Sequence, residues 1–398
     1  MSSGDTATSV LYSFPHVLGR SGIGTTAHQQ VLGLVAAGAR VHVVCADVGA
    51  PLPPEVRVTR TLALGPARIP HRALGVDRAY RWHDRVTAQV VSRRADRYDV
   101  VHTWPLGAVR TLDAARSAGV LAVREAPNTH TAHAYRVAAR LDAELGLQSR
   151  AGHSHAYDPA RLALEEAEYE AADVVMVASP AVRQTFLDEG VPESRLELHR
   201  YGYDPARFGA PDPPPPARPP RPLTICFLGS LEPRKGLHVA VDAWRRSEVG
   251  RDGARLIVRG RAHPGYLESI GPIADEEGVD IEDFVADPSE LLRSCDALVL
   301  PSFEEGSALV TYEAQASGCA LLVSSAAGAR CDHGDSGLVH EPGDTDALAH
   351  HLSLLAAEPE TLGAMRSRAV ERAASLTWSD AGRELLGVYE RRIGRSGG

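Results

Sequence analysis

Two glutamates with seven residues between them, Glu305 and Glu313, stand in the stretch Pro301-Ser302-Phe303-Glu304-Glu305-Gly306-Ser307-Ala308-Leu309-Val310-Thr311-Tyr312-Glu313-Ala314. The first lies in a loop leaving an apolar run; the second lies inside the following helix, which ends near Ser317, before Gly318. Carboxylates are strong acceptors for the paired hydroxyls of a sugar or ribose, so this spacing offers recognition of a polyhydroxylated ligand from one side of a cleft. A glycosidase also needs two carboxylates, but flanking one bond at a set separation, which two positions on one loop and helix suit less well. The plainer reading leaves Glu304 and Glu305 in a solvated turn and Glu313 on an exposed helix face, the commoner fate of glutamate.

The chain has one lysine among 42 basic residues. It stands in Leu228-Gly229-Ser230-Leu231-Glu232-Pro233-Arg234-Lys235-Gly236, after an apolar run and before Leu237, Ala240, Val241 and Trp244, whose spacing predicts a helix. Lys235 is thereby placed at a helix start, where free backbone N–H groups and the positive dipole end attract an anion. An ammonium adds a compact point charge with three rotatable donors, unlike the planar guanidinium used everywhere else in this chain. Phosphate is the anion that suits the arrangement; the alternative is a lysine left here by chance.

A second loop, Ser21-Gly22-Ile23-Gly24-Thr25-Thr26-Ala27, follows the first apolar run, and Asp47 closes the next. On paper this fits the dinucleotide fingerprint, which however needs its first glycine directly after the strand. Pro15 to Ser21 intervene, so a nicotinamide-dependent oxidoreductase is kept as an alternative. The glycines still allow close backbone approach, and a helix from Thr26 to Ala37 offers its N-terminus to an anion; the plainer reading is a flexible turn.

Other chemistries are less well served. His130, His133, His153 and His155 do not have the spacing of a zinc-protease helix, and no cysteine joins them; no metal is expected. The five cysteines are odd in number, and Cys45, Cys226 and Cys319 flank apolar runs, which reads as reduced core residues. A formal charge of −9 argues against nucleic acid as a partner. Between Arg57 and Arg97, however, ten arginines face only Asp77, Asp84 and Asp96. Ala79, Trp82, Val86 and Val90 recur there at helical spacing. The first reading is a helix with a solvated basic face; the other is contact with an acidic acceptor or anionic lipid, which would put the protein at the membrane periphery.

The elements that must hold these residues alternate short β-branched runs with helical patterns, the signature of parallel sheets covered by crossover helices. Strands are expected at Val10–Phe14, Arg40–Ala46, Val56–Leu62, Val100–Trp104, Val120–Glu125, Val174–Ser179 and Leu196–Arg200. They recur at Leu223–Leu228, Arg255–Arg259, Asp280–Phe284, Ala297–Leu300, Ala320–Ser324 and Gly337–His340. Between these sets the run from Pro211 to Pro222 can donate few backbone hydrogen bonds and prefers an extended form. The expected organisation is therefore an α/β protein of two doubly wound, Rossmann-like domains facing a cleft. Residues 1–208 form the first, 209–222 the hinge, and 223–377 the second, while 378–398 hold a helix from Trp378 to Ile393 that crosses back. The N-terminus lacks a signal-peptide pattern, and no apolar run approaches the roughly 20 residues of a membrane span, so the expected location is cytoplasmic.

Taken together these segments resemble the retaining glycosyltransferases of family 4, which have the GT-B architecture. Glu305 to Glu313 is similar to that family's E-x7-E motif, Gly229 to Gly236 to its diphosphate clamp, Gly22 to Gly24 to its N-terminal glycine loop, and Tyr201-Gly202-Tyr203-Asp204 to its pre-linker element. The resemblance implies a nucleoside diphosphate sugar as co-substrate, UDP-linked before GDP-linked, and no metal or other cofactor. It implies that Lys235 and Arg234 meet the diphosphate, Glu313 the ribose and Glu305 a sugar hydroxyl. His130 would stand near the donor sugar, while Gly306, Ser307, Ala308 and Leu309, through their backbone, would help to seat the donor with Gly229 and Ser230. The acceptor would be a small molecule, a glycan or a lipid-linked saccharide. Ser230 stands where the family usually has arginine, so either Arg234 supplies that charge or donor binding is weaker. Gly328-Ala329-Arg330-Cys331 also departs from the pattern, and its contacts are not carried over. A non-catalytic sugar-nucleotide sensor on the same scaffold is the further alternative.

Overall fold

Valine-dense runs such as Arg40–Val48 and Val174–Val177 are buried almost throughout, as suits strands covered on both faces. The computed structural model describes residues 7–64, 67–69, 74–147, 156–210, 222–273 and 275–395. The first half supplies β1 (Ser9–Leu18), β2 (Arg40–Val48), β3 (Arg57–Arg60), the short antiparallel pair β4 (Ala63–Leu64) and β5 (Ala67–Arg68), then β6 (Val100–Thr103), β7 (Leu121–Ala126), β8 (Val174–Val177) and β9 (Leu196–Leu198). Seven of these make one parallel sheet in the order β3-β2-β1-β6-β7-β8-β9. The second half supplies β10 (Thr224–Leu228), β11 (Arg255–Arg259), β12 (Val279–Glu282), β13 (Ala297–Leu300), β14 (Ala320–Ser324) and β15 (Gly337–His340), parallel in the order β12-β11-β10-β13-β14-β15. The order reverses beside β1 in one sheet and beside β10 in the other, and ligands bind outside the carboxyl ends of strands at such points.

The helices that position the site are α1 (Ile23–Ala36), α2 (Val76–Arg94), α3 (Val109–Ser117), α4 (Thr131–Glu144), α5 (Pro159–Ala171) and α6 (Pro180–Asp188) in the first half. The second half has α7 (Leu237–Ser247), α8 (Tyr266–Ser269), α9 (Ser289–Ser294), α10 (Leu309–Ala316), α11 (Thr345–Ala357), α12 (Pro359–Ala373) and α13 (Trp378–Arg395).

Four expectations about boundaries are corrected. The strands placed at Val56–Leu62 and Asp280–Phe284 are Arg57–Arg60 and Val279–Glu282, both at sheet edges, the first largely exposed and the second mostly half-buried. An edge strand needs no continuous apolar run, which is what the sequence reading followed. β1 continues past an irregularity between Phe14 and Val17 to Leu18, pairing Val17 with Asp47, and α1 starts at Ile23 rather than Thr26. The gap used to set the dinucleotide fingerprint aside is therefore shorter than the sequence implied. Residues 211–221 of the proline-rich run, and His153 and His155, lie outside the described residues.

α13 begins in one core and ends in another: Trp378 and Ala381 pack with the second domain, Leu385, Val388 and Tyr389 with the first. It crosses α1 at a glycine pair. A Cβ on Gly33 would lie 2.7 Å from the Trp378 carbonyl oxygen, and one on Gly382 would lie 2.2 Å from the Gly33 carbonyl carbon. Tyr389 donates to or accepts from Nδ1 of the buried His102 at 2.7 Å, and His102 adjoins the buried Glu125, which accepts from Tyr201 at 2.9 Å. Overpacking such a crossing costs roughly 1–3 kcal/mol, so Gly33→Leu is expected to lower the thermal midpoint by several degrees. A melt followed by circular dichroism checks this; an unchanged midpoint would mean the helices can separate without loss.

Candidate active site

Lys235 is presented by the loop between β10 and α7. Pro233 fixes the backbone of a 3-10 turn, Pro233–Lys235, and Gly236 follows at φ 73° as the N-cap of α7. No other residue fits there readily: a Cβ on Gly236 would lie 2.2 Å from the Pro301 carbonyl oxygen. The close approach binds this loop to the acidic loop after β13, and Phe303 N–H donates to the Arg234 carbonyl at 2.7 Å. The Phe303 ring stacks on His238 of α7 with centroids 5.4 Å apart. Gly229 sits at φ 149° with nothing within 4 Å of a built Cβ, and Ser230 is exposed beside it.

Glu304 and Glu305 do not form a solvated turn; they are 2% and 7% exposed. Lys235 Nζ pairs with Glu305 Oε1, and Arg234 lies 3.3 Å from Glu305 Oε2, 3.6 Å from Glu304 Oε2 and 2.7 Å from Glu232 Oε1. Arg234 also donates to the Glu304 carbonyl at 3.1 Å. Two cations thus face three carboxylates. Arg234 is the guanidinium of this cluster, whereas Ser230 brings no charge. Burial first, and then the Arg234 guanidinium, push the Lys235 ammonium down to about 7, with Glu232 and Glu304 opposing.

That shift has a sign. Below pH 7 the ammonium is present and attracts an anion; above it the amine is neutral. Affinity for the expected nucleotide-sugar, whose esterified diphosphate does not titrate here, is expected to weaken about a few-fold as the pH rises through this point. Glu313, pushed up to about 7 mainly by burial, ionises over the same range. The profile is therefore compared with Lys235→Arg, whose charge persists; titration calorimetry should show the fall in the parent and not in the variant.

The acidic loop meets the first domain. Thr129 donates to Glu304 Oε1 at 2.6 Å, and Ser179 donates to the Gly306 carbonyl at 2.7 Å. A Cβ on Gly306 would lie 1.7 Å from the Pro127 carbonyl oxygen. The Ser307 hydroxyl bonds the Gly328 carbonyl at 3.1 Å and Tyr312 at 2.8 Å, while Ala308 N–H donates to the Ala327 carbonyl at 3.2 Å and caps α10 ahead of Leu309. The Gly328 loop therefore braces the seat of the acidic loop. Beside Thr129 a polar pocket in the first domain is lined by Arg124, Asn128, Thr131, Tyr135, Glu165 and Tyr169 among others. Arg124 is locked by Glu165 at 3.0 Å and Glu168 at 3.2 Å. Glu168 in turn accepts from the N–H groups of Leu106, Gly107 and Ala108, the loop after β6.

Other expected site residues fall elsewhere. His130 caps α4, with Nδ1 accepting from Ala132 N–H at 3.3 Å, and its ring lies between Tyr169 and Phe186 inside the first domain. Burial pushes it down to about 4. His133, one turn on, is the histidine that feels the Glu304 charge. Glu313 is half-buried on α10, where its charged neighbours are Arg207 and Asp287 rather than the cations around Glu305. Gly22 precedes α1 at φ 84°, and Gly24 lies in the first turn of α1, where a Cβ would be 2.7 Å from the Val17 carbonyl oxygen. Both belong to the first-domain wall. Glu232, Thr129 and the Arg124 pocket escaped the sequence reading; the only signal was the charged pair Arg124-Glu125 within a strand. No group of three or more metal-ligating side chains is placed to hold an ion among the described residues.

Comparison with known proteins gives this geometry a context. The model of "Glycosyltransferase Family 4" matches residues 20–207, and that of "Glycosyl transferases group 1" matches residues 222–358. The chain is similar to a D-inositol 3-phosphate glycosyltransferase of Mycobacterium tuberculosis, 29% identical over 323 residues, which are 75% of this chain and 62% of that relative. It is similar in fold to a sucrose-phosphate synthase from Thermosynechococcus elongatus, with TM-score 0.69 and 19% identity over 98% of this chain and 100% of that one. The same holds for HepE from Anabaena, solved with UDP, at TM-score 0.64 and 16% identity over 96% and 100%. The two family models fall on the two sheets in turn, and the chain therefore belongs to the GT-B glycosyltransferases of the family 4 type.

Proposed function

We propose that the protein transfers a hexosyl group from a nucleoside diphosphate sugar to an acceptor hydroxyl with retained configuration and without a bound metal. The observation that carries this reading is the Lys235 and Arg234 pair at the start of α7, set against an acidic loop that the first domain touches through Thr129. The hard step is departure of the diphosphate. Charge grows on the oxygen leaving the sugar, and Lys235, Arg234 and the N-terminus of α7 stabilise it where water is excluded. Family likeness adds front-face attack by the acceptor, with no protein nucleophile. UDP is the first candidate nucleotide because HepE was solved with it. A small hydroxylated acceptor is proposed on the likeness to the relative whose name gives a cyclitol phosphate.

The test is a thermal-shift screen of nucleoside diphosphates, followed by a transfer assay with and without chelator. A ligand at about 100 times its Kd stabilises by roughly 2.7 kcal/mol. UDP is expected to raise the midpoint and the chelator to leave transfer intact; stabilisation by NAD(P)H alone would favour the oxidoreductase instead, and binding without transfer the sensor. A cytoplasmic, membrane-peripheral setting belongs to the same proposal. α2 exposes Arg78, Arg81 and Arg85 beside Trp82, whose indole N–H bonds the Thr61 carbonyl at 2.9 Å. Among the described residues no helix is long and apolar enough to cross a membrane. Co-sedimentation with anionic but not neutral vesicles is expected, and its absence would remove the membrane from the proposal.

A further inference from the structure

The cations proposed to meet the diphosphate are already matched by acid. Arg234 and Lys235 face Glu232, Glu304 and Glu305, so the cluster carries more acid than base before any ligand arrives. A diphosphate entering such a site meets net negative charge unless a carboxylate withdraws. The three acids are not equally free to do so. Glu304 is tied to the other domain by Thr129, at 2.6 Å, and to Arg234 through its own carbonyl. Glu232 lies on the same short turn as Arg234, 2.7 Å from it. Glu305 pairs with Lys235 and lies 3.3 Å from Arg234, and it precedes Gly306 in the loop. The Arg234 Nε–H, meanwhile, is buried without an acceptor, a donor that a phosphate oxygen would satisfy.

We propose that Glu305 is an internal stand-in for the donor's diphosphate: it neutralises Lys235 and Arg234 in the empty enzyme, is displaced when the diphosphate binds, and then accepts from a hydroxyl of the donated sugar. This rests on the transferase reading above and adds a consequence to it. A bare nucleoside diphosphate displaces Glu305 and leaves that carboxylate without a partner, whereas a nucleotide-sugar supplies one. The exchange couples phosphate capture to the presence of the sugar and disfavours unproductive occupation by the by-product diphosphate.

The test compares UDP and a UDP-hexose, by titration calorimetry, on the wild type, Glu305→Gln and Glu304→Gln. The wild type is expected to bind the UDP-hexose more tightly than UDP. Glu305→Gln is expected to bind UDP on the order of tenfold more tightly, the effect of ~1.4 kcal/mol, and to lose the preference for the sugar form. Glu304→Gln is expected to change both affinities together and keep their ratio. Unchanged or weaker UDP binding by a folded Glu305→Gln overturns the stand-in role, as does an equal or inverted preference in the wild type, which needs no variant to fold. Absence of binding of every nucleoside diphosphate and nucleotide-sugar, by the wild type and by Glu305→Gln alike, would instead sink the transferase reading itself.

Discussion

Lys235→Ala is expected to lower kcat by about 10²–10³-fold, the cost of removing one donor aimed at developing charge in a water-poor site, while raising the donor KM much less. The ammonium stands at the end of the 3-10 turn, beside the N-terminus of α7. Its worth is greatest when the leaving diphosphate gains charge, because the ground-state donor meets Arg234 and the helix end as well. Steady-state kinetics with saturating acceptor separates the two effects. A variant with near-normal kcat and only a raised donor KM would show that Lys235 binds donor and transition state alike. Lys235→Arg is the useful companion: it keeps the charge, but its planar fork is bulkier in a turn closed by Gly236 against Pro301.

The second large effect is expected at Gly306, where the two domains meet. A methyl group there would sit 1.7 Å from the Pro127 carbonyl oxygen and 2.7 Å from its carbon. Backbone cannot yield to that overlap as a flexible side chain would, so Gly306→Ala should hold the domains apart and lengthen the Ser179 and Thr129 bridges. A displacement of about 1 Å between reacting groups can cost 10²-fold in rate. Transfer is expected to fall by about that factor while binding of UDP changes only a few-fold, since Lys235 and Arg234 both belong to the second domain. The thermal midpoint should hardly move, because neither core includes the contact. A loss of UDP binding equal to the loss of transfer would show that Gly306 shapes the donor site itself.

Much of the fold could be read from the chain because a parallel strand buried on both faces is written locally, as in Val174–Val177 or Ala297–Leu300. Where that physics lapses the reading slipped. β3 and β12 are edge strands, exposed and half-buried in turn, and Pro15 and His16 disguised the continuation of β1 to Leu18. Lys235 and the acidic loop stood out by residue type and spacing. The burial of Glu304 did not, since its partner Thr129 lies 175 residues away. His130 shows the converse: a histidine in a suggestive position whose ring the fold turns between Tyr169 and Phe186.

By itself, then, the sequence determined two wound halves, an anion-seeking helix start and a pair of carboxylates, because periodicity, helix ends and side-chain chemistry are local properties. Tertiary structure alone decided which charges touch. It brought Glu305 onto Lys235, joined Glu304 to Thr129, gave Glu313 the company of Arg207 and Asp287, and carried α13 back onto α1. The reason is physical: ion pairs and glycine contacts between distant segments depend on how loops pack within a domain and how the two domains dock, and no spacing along the chain encodes that distance.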